Sequence, residues 1–288
     1  MLKLELNKLY WSLTIIICLI SACQKSNIVV NAEKLESKDI LNAKYSEHEL
    51  NTIDIYLPAD RTTETAIILF VHGGFWYEGD KSMLTELAKY YRNQGYVTAN
   101  LNYRLAHNAE NNVHPAQIND IGKAIGYLNS KAQEYEYSPS KMALLGASAG
   151  AHLALLYSFQ KDPQQHIKAV VSLAGPTNFT NLQTVSFLQS QVLEWFIGSS
   201  YQNNPSAYAE ASPVNYVNKN SPPTLMFHGK LDLIVPVKQS QDLKVKLDQF
   251  QVPNQLKIYE NQGHDLTGID TDKEFLNTIN SWLTAYLK

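Results

Sequence analysis

From about residue 50 onward, short apolar runs alternate with longer stretches whose apolar residues recur every three or four positions. Residues 50–57 alternate apolar and polar as a half-buried strand does, and residues 66–71 form an apolar run that stops at His72-Gly73-Gly74. Further runs at 97–101, 142–145, 167–173, 224–227 and 256–259 predict five more strands. Ile118, Ile121, Ile125 and Leu128 share one helical face, and residues 153–157 continue a helix beyond Gly150. Strands alternating with helices imply an α/β fold, with a mostly parallel central sheet and helices on both faces. Open sheets of this kind gather their sites at the carboxyl ends of the strands. Residues 176–208, rich in Phe and Leu and including Trp195, read either as a small lid insertion over a pocket or as an ordinary core helix.

The N-terminus follows a different pattern. Lys3 and Lys8 precede an apolar stretch over residues 9–20, and Ile20-Ser21-Ala22-Cys23 follows. A positive flank, a short apolar segment and small residues before a cut site describe a secretory signal. This stretch of twelve residues, broken only by Ser12 and Thr14, is too short for a spanning helix, which needs roughly 20. An uncleaved anchor is the alternative. The tetrapeptide resembles the lipobox of bacterial lipoproteins, which implies that Cys23 carries lipid and tethers the protein to a membrane outside the cytoplasm. Gln24 after the cysteine favours the outer membrane of a two-membrane cell. The expected organisation is a signal at 1–22, a lipidated tether at 23–43 and one globular domain at 44–288.

Composition narrows the possible partners. Net charge is −3, with no basic tract, so nothing favours nucleic acid. Cys18 and Cys23 are the only cysteines, which leaves the mature domain without a disulfide or thiol nucleophile. The eight histidines lack paired ligand spacing such as H-E-x-x-H, so neither metal nor cofactor is expected.

The unusual residues lie just beyond the strands. Gly146-Ala147-Ser148-Ala149-Gly150 joins the 142–145 strand to a helix, the pattern of a nucleophile elbow. A serine on so sharp a turn exposes its hydroxyl only if its neighbours two positions away are too small to clash. His72-Gly73-Gly74-Phe75-Trp76 follows another strand, and its glycines allow backbone N–H groups close to a substrate oxygen. Gly73, Gly74 and Ala149 are therefore the expected oxyanion donors, and Trp76 is expected to line the substrate pocket.

A serine nucleophile needs an imidazole base and a carboxylate to orient it; after such an elbow the chain order is serine, acid, histidine. His48, His107, His114 and His166 lie in polar connections or precede the expected position. His72 belongs to the glycine loop, His152 lies one turn after Ser148 and is expected to pack under the sheet, and His228 precedes the acid. His264, in a turn after the 256–259 run, is the expected base, and Asp232, just beyond the 224–227 run, the expected acid. Asp242 reads as a solvated helix charge, while Asp265 adjoins the histidine and would point away from it.

Beyond these motifs, Gly79-Asp80-Lys81, Asn102-Tyr103-Arg104-Leu105, Ser212-Pro213, Pro222-Pro223-Thr224 and residues 228–236 occur in a familiar order. Together they resemble the bacterial α/β-hydrolase esterases related to hormone-sensitive lipase, nearest to the feruloyl/acetyl-esterase-like (BD-FAE type) branch. The resemblance implies an eight-stranded core and a carboxylic-ester hydrolase working through Ser148, Asp232 and His264. Short-chain acyl or carbohydrate-linked feruloyl and acetyl esters would be its substrates. One departure matters: Phe75-Trp76 stands where the lipase branch has a third glycine, and this loop also resembles kynurenine formamidases. An arylformamidase-like amide hydrolase is thus the alternative; a non-catalytic saccharide- or protein-binding lipoprotein would normally have lost one of the three residues.

Overall fold

The unbroken apolar run Ile67–Val71 becomes a central strand because both of its faces are buried. Ile67, Leu69 and Val71 point into one core layer and Ile68 and Phe70 into the other, the two-residue alternation of a pleated strand. The computed structural model describes residues 35–106, 112–162, 165–181, 185–266 and 272–288. Eight strands, β1 (Lys38–Lys44), β2 (Thr52–Leu57), β3 (Ile67–Val71), β4 (Val97–Leu101), β5 (Met142–Ala147), β6 (Ile167–Leu173), β7 (Thr224–Gly229) and β8 (Asn254–Tyr259), form one sheet. Their order is β1-β2-β4-β3-β5-β6-β7-β8. The β1–β2 and β2–β4 pairs are antiparallel; every later pair is parallel.

Helices cover both faces. α2 (Ala116–Tyr135) and α3 (Ala149–Leu156) bury Ile121, Ile125, Leu128 and Leu153 against the layer of Leu69. α1 (Thr85–Asn93) and α7 (Lys273–Leu287) cover the face of Phe70; on α7, Phe275, Ile279, Leu283 and Leu287 recur every fourth residue to make the stripe.

Two boundaries differ from the sequence reading. The tether expected over 23–43 cannot extend so far, because β1 pairs with β2 from Lys38↔Leu57 to Lys44↔Thr52. Cys23 and the signal segment lie outside the described residues, among which no helix is long and apolar enough to cross a membrane. Within 176–208, α4 (Phe187–Ile197) buries Val192, Leu193, Phe196 and Ile197 in the layer of Leu69. Ser186 caps its start by accepting from Gln189 N, and Gly198 ends it in the left-handed region at φ 79°. Of the two readings of this segment, the core helix is the one observed. α5 (Pro205–Glu210) and α6 (Lys238–Gln249) complete the fold.

Candidate active site

Ser148 sits between β5 and α3 at φ 51°, ψ −119°, a strained conformation for a residue with a side chain. Its neighbours explain how the turn closes. A Cβ on Gly146 would fall 2.4 Å from the Gly150 carbonyl oxygen, and one on Gly150 would fall 2.1 Å from the Val71 carbonyl oxygen. Both positions therefore exclude any side chain. β5 and β3 are adjacent and parallel, so this turn emerges beside the His72 loop at the same end of the sheet.

The Ser148 hydroxyl donates to Nε2 of His264 across 2.8 Å, and His264 Nδ1–H donates to Asp232 Oδ2 across 2.7 Å. The other carboxylate oxygen, Oδ1, accepts from the backbone N–H of Ile234 at 2.9 Å and Val235 at 2.8 Å. Burial acts to raise the Asp232 pKa, but hydrogen bonds from His228, His264 and the Val235 amide outweigh it and hold the carboxyl well below the usual range. Asp232 and His264 stand on separate loops, after β7 and β8. The two loops are joined backbone to backbone: Leu231 N–H donates to Gln262 O at 3.0 Å, and a Cβ on Gly229 would meet Gly263 O at 2.2 Å.

The glycine loop packs directly on this turn. A Cβ on Gly73 would approach Ala147 O to 3.0 Å and Ser148 Cβ to 3.3 Å, while Gly74 adopts φ 106°. His72 is buried; its Nδ1–H donates to the Gly73 carbonyl at 2.6 Å, and its ring stacks on Tyr103 at 4.3 Å. Burial lowers its pKa to about 4, so the ring that braces the loop is neutral at ordinary pH. Gly73, Gly74 and Ser148 share the wall of a cavity of about 420 Å³. Phe75, Leu84, Leu173, Ile234 and Leu266 make it apolar, and Glu78 and Asp265 stand at it as exposed carboxylates. Ala149 follows Ser148 as the first residue of α3.

Trp76 does not line this cavity, and the expectation that it would is corrected. Phe75 and Trp76 both take positive φ, 52° and 67°, and the turn carries the indole inward. Trp76 is buried, stacks on Phe196 at 4.5 Å and donates from Nε1 to His152 Nδ1 at 3.1 Å. Phe75 occupies the cavity wall instead. No described residue of 176–208 lines it either. Among the described residues, no group of three or more His, Cys, Asp or Glu is placed to hold a metal ion.

Residues 53–247, more than half of the chain, match the model of the BD-FAE family. The chain belongs to that family. Among curated relatives, the probable carboxylic ester hydrolase LipM of Mycobacterium tuberculosis is 30% identical over 75% of this chain and 52% of its own length. Esterase LipC of the same organism is 27% identical over 70% of this chain and 53% of its own. The chain thus spans about half the length of these relatives. Among solved structures, a truncated carbohydrate esterase from gut microbiota superposes with a TM-score of 0.75 at 25% identity. That match covers 88% of this chain and 98% of the other, and the eight-stranded, mostly parallel sheet with helices on both faces is an α/β-hydrolase fold.

Proposed function

We propose that this BD-FAE member is a serine carboxylic-ester hydrolase whose triad is Ser148, His264 and Asp232. The observation that carries the proposal is the unbroken line of hydrogen bonds from Ser148 through His264 to Asp232, opening on an apolar cavity. Ser148 attacks the acyl carbon as His264 Nε2 takes its proton; Asp232 holds the imidazole by Nδ1–H and stabilises the imidazolium. The oxyanion develops beside the N–H groups of Gly73, Gly74 and Ala149, each such donor being worth roughly 3 kcal/mol of barrier lowering. His264 then protonates the departing alcohol, and a water deprotonated by the same nitrogen releases the acid.

The apolar wall suits a short or planar aromatic acyl group, and similarity to the gut carbohydrate esterase favours an alcohol carried on a saccharide. The test is a panel of p-nitrophenyl acyl esters, acetylated xylan and feruloyl saccharides, run on the protein and on Ser148→Ala. Turnover of acyl saccharides that vanishes in the variant is expected. Undiminished turnover in Ser148→Ala overturns the triad, and turnover of N-formylkynurenine without ester turnover replaces the ester reading by the amide one.

The location is a second part of the proposal. Acylation of Cys23 within Ile20-Ser21-Ala22-Cys23 would anchor the domain to a membrane facing out of the cytoplasm. Fractionation of cells fed a palmitate label tests it. Label in the wild-type chain, and its loss with release to the soluble fraction in Cys23→Ala, are expected; an unlabelled, soluble wild type contradicts the anchor.

A further inference from the structure

Asp232 touches a second imidazole besides that of His264. His228, at the end of β7, is fully buried, and its Nε2 lies 2.8 Å from the Val235 carbonyl oxygen and 3.1 Å from Asp232 Oδ2. Its Nδ1 lies 2.7 Å from Ser240 Oγ on α6. Both oxygens near Nε2 are acceptors, so that nitrogen carries the proton; left bare, it would face two lone-pair oxygens with no donor between them. Nδ1 then accepts from the Ser240 hydroxyl, a group able to donate. The partners at the two ends therefore select one tautomer, with Nε2–H forked between the loop carbonyl and the carboxylate.

The fork changes the surroundings of Asp232. Four N–H groups now stand around its carboxylate: Ile234 at 2.9 Å and Val235 at 2.8 Å on Oδ1, and His264 at 2.7 Å and His228 at 3.1 Å on Oδ2. A carboxylate offers about four lone-pair sites, so none is left to turn toward. We infer that His228 is a positioning residue for the proposed triad: its Nε2–H fixes the rotation of the Asp232 carboxylate and draws charge away from the oxygen that His264 uses. The inference rests on the triad reading above.

The two roles have separable signatures. Without the His228 donor, negative charge concentrates on Oδ2, which then holds the His264 imidazolium more strongly. The base becomes harder to deprotonate, so the acid limb of kcat/KM moves to higher pH. A loosened carboxylate also lowers kcat and leaves substrate binding alone. Other charged groups nearby are Asp265 beside His264, Glu78 at the cavity, and the Lys230–Glu260 pair between the β7 and β8 turns. All four stay constant across the variants compared.

The experiment measures pH profiles with p-nitrophenyl acetate for the full chain, His228→Gln and His228→Leu, with Ser148→Ala alongside. Glutamine returns an N–H near the Nε2 position and does not titrate. His228→Leu is expected to lose about 10- to 100-fold in kcat, the range for removing a hydrogen bond to a charged group. Its KM should change little, and its acid limb should rise by about half to one pH unit. His228→Gln should stay within about threefold of wild type, with the limb unmoved. A limb that stays in place in His228→Leu, or an equal loss in His228→Gln, overturns the inference. Full activity in Ser148→Ala overturns the triad reading itself, so the two failures are distinguishable. Should His228→Leu not fold, imidazole 15N shifts of the wild-type protein at pH 8, assigned by the His228→Gln difference, decide. A protonated Nε2 with bare Nδ1 on His228 supports the fork; the opposite tautomer overturns it.

Discussion

Replacing Gly150 by alanine isolates the contact that lets the serine turn close. The new Cβ would stand 2.1 Å from the Val71 carbonyl oxygen and 2.4 Å from that of His72, where ordinary contact begins near 3.4 Å. Both obstacles are backbone, so no rotamer change relieves them; α3 must move off β3 by more than an ångström. Overpacking of this kind costs about 1–3 kcal/mol. For a domain of this size that lowers Tm by roughly 3–10 °C. Ser148 and Ala149 stand on one side of the displaced contact and the Gly73 loop on the other. A misplacement of about 1 Å between them should reduce kcat around 100-fold. Calorimetry and steady-state turnover of p-nitrophenyl acetate measure the two effects. Gly126→Ala is the control: Gly126 lies within α2 and its added Cβ meets nothing within 4 Å. That variant should be more stable by about 0.5–1 kcal/mol with unchanged turnover. A Gly150→Ala protein with wild-type Tm and kcat would show that this backbone contact does not set the position of the serine turn.

Three further outcomes follow from the same contacts. Trp76→Ala should destabilise the fold by about 3–5 kcal/mol in urea titration while leaving KM for p-nitrophenyl acetate nearly unchanged, because the indole fills the core under the loop and not the cavity; a raised KM at unchanged stability would contradict this placement. Burial lowers the pKa of His72 from 6.5 to about 4 and that of His152 to about 3. The unfolded chain therefore takes up protons that the folded one refuses. Their contribution is complete above pH 6.5 and declines as pH falls toward 4, so urea stability at pH 5 should be lower by about 2 kcal/mol per histidine than at pH 7.5; a flat profile over that interval would be inconsistent. Asp232→Asn should reduce kcat by about 10⁴-fold, since the amide favours the wrong tautomer of His264; a loss below about tenfold, read from kcat in steady-state assays, would remove Asp232 from the orienting role.

The strands from β2 to β7 were legible because their side chains are buried in runs, and burial is what apolar patterning records; β8 is half-buried and was marked by Leu256, Ile258 and Tyr259. β1 was not: Lys38-Asp39-Ile40-Leu41-Asn42-Ala43-Lys44 is an edge strand with most side chains in water, and solvent imposes no apolar alternation. The meeting of Ser148, Asp232 and His264 was legible because each stands just past a strand, in an order set by chain topology. Trp76 was misplaced because adjacency to the glycine loop does not reveal two successive positive φ values, which send Phe75 to the cavity and Trp76 to the core. Leu84 and Leu266 reach the cavity from distant segments, and no local pattern marks such convergence. Gly229 and His228 carried a faint signal, a glycine and an imidazole ending a strand beside an acid. Chain order removes His228 from the base position and says nothing about what it holds in place.

The most direct measurement is mass spectrometry of the protein quenched during turnover of a slow aryl ester, or after reaction with a fluorophosphonate. The expected result is one adduct, of the acyl or phosphonyl mass, on the peptide containing Ser148, absent from Ser148→Ala and suppressed in His264→Ala. Ester turnover with no adduct on that peptide, and with Ser148→Ala as active as the wild type, would contradict the account.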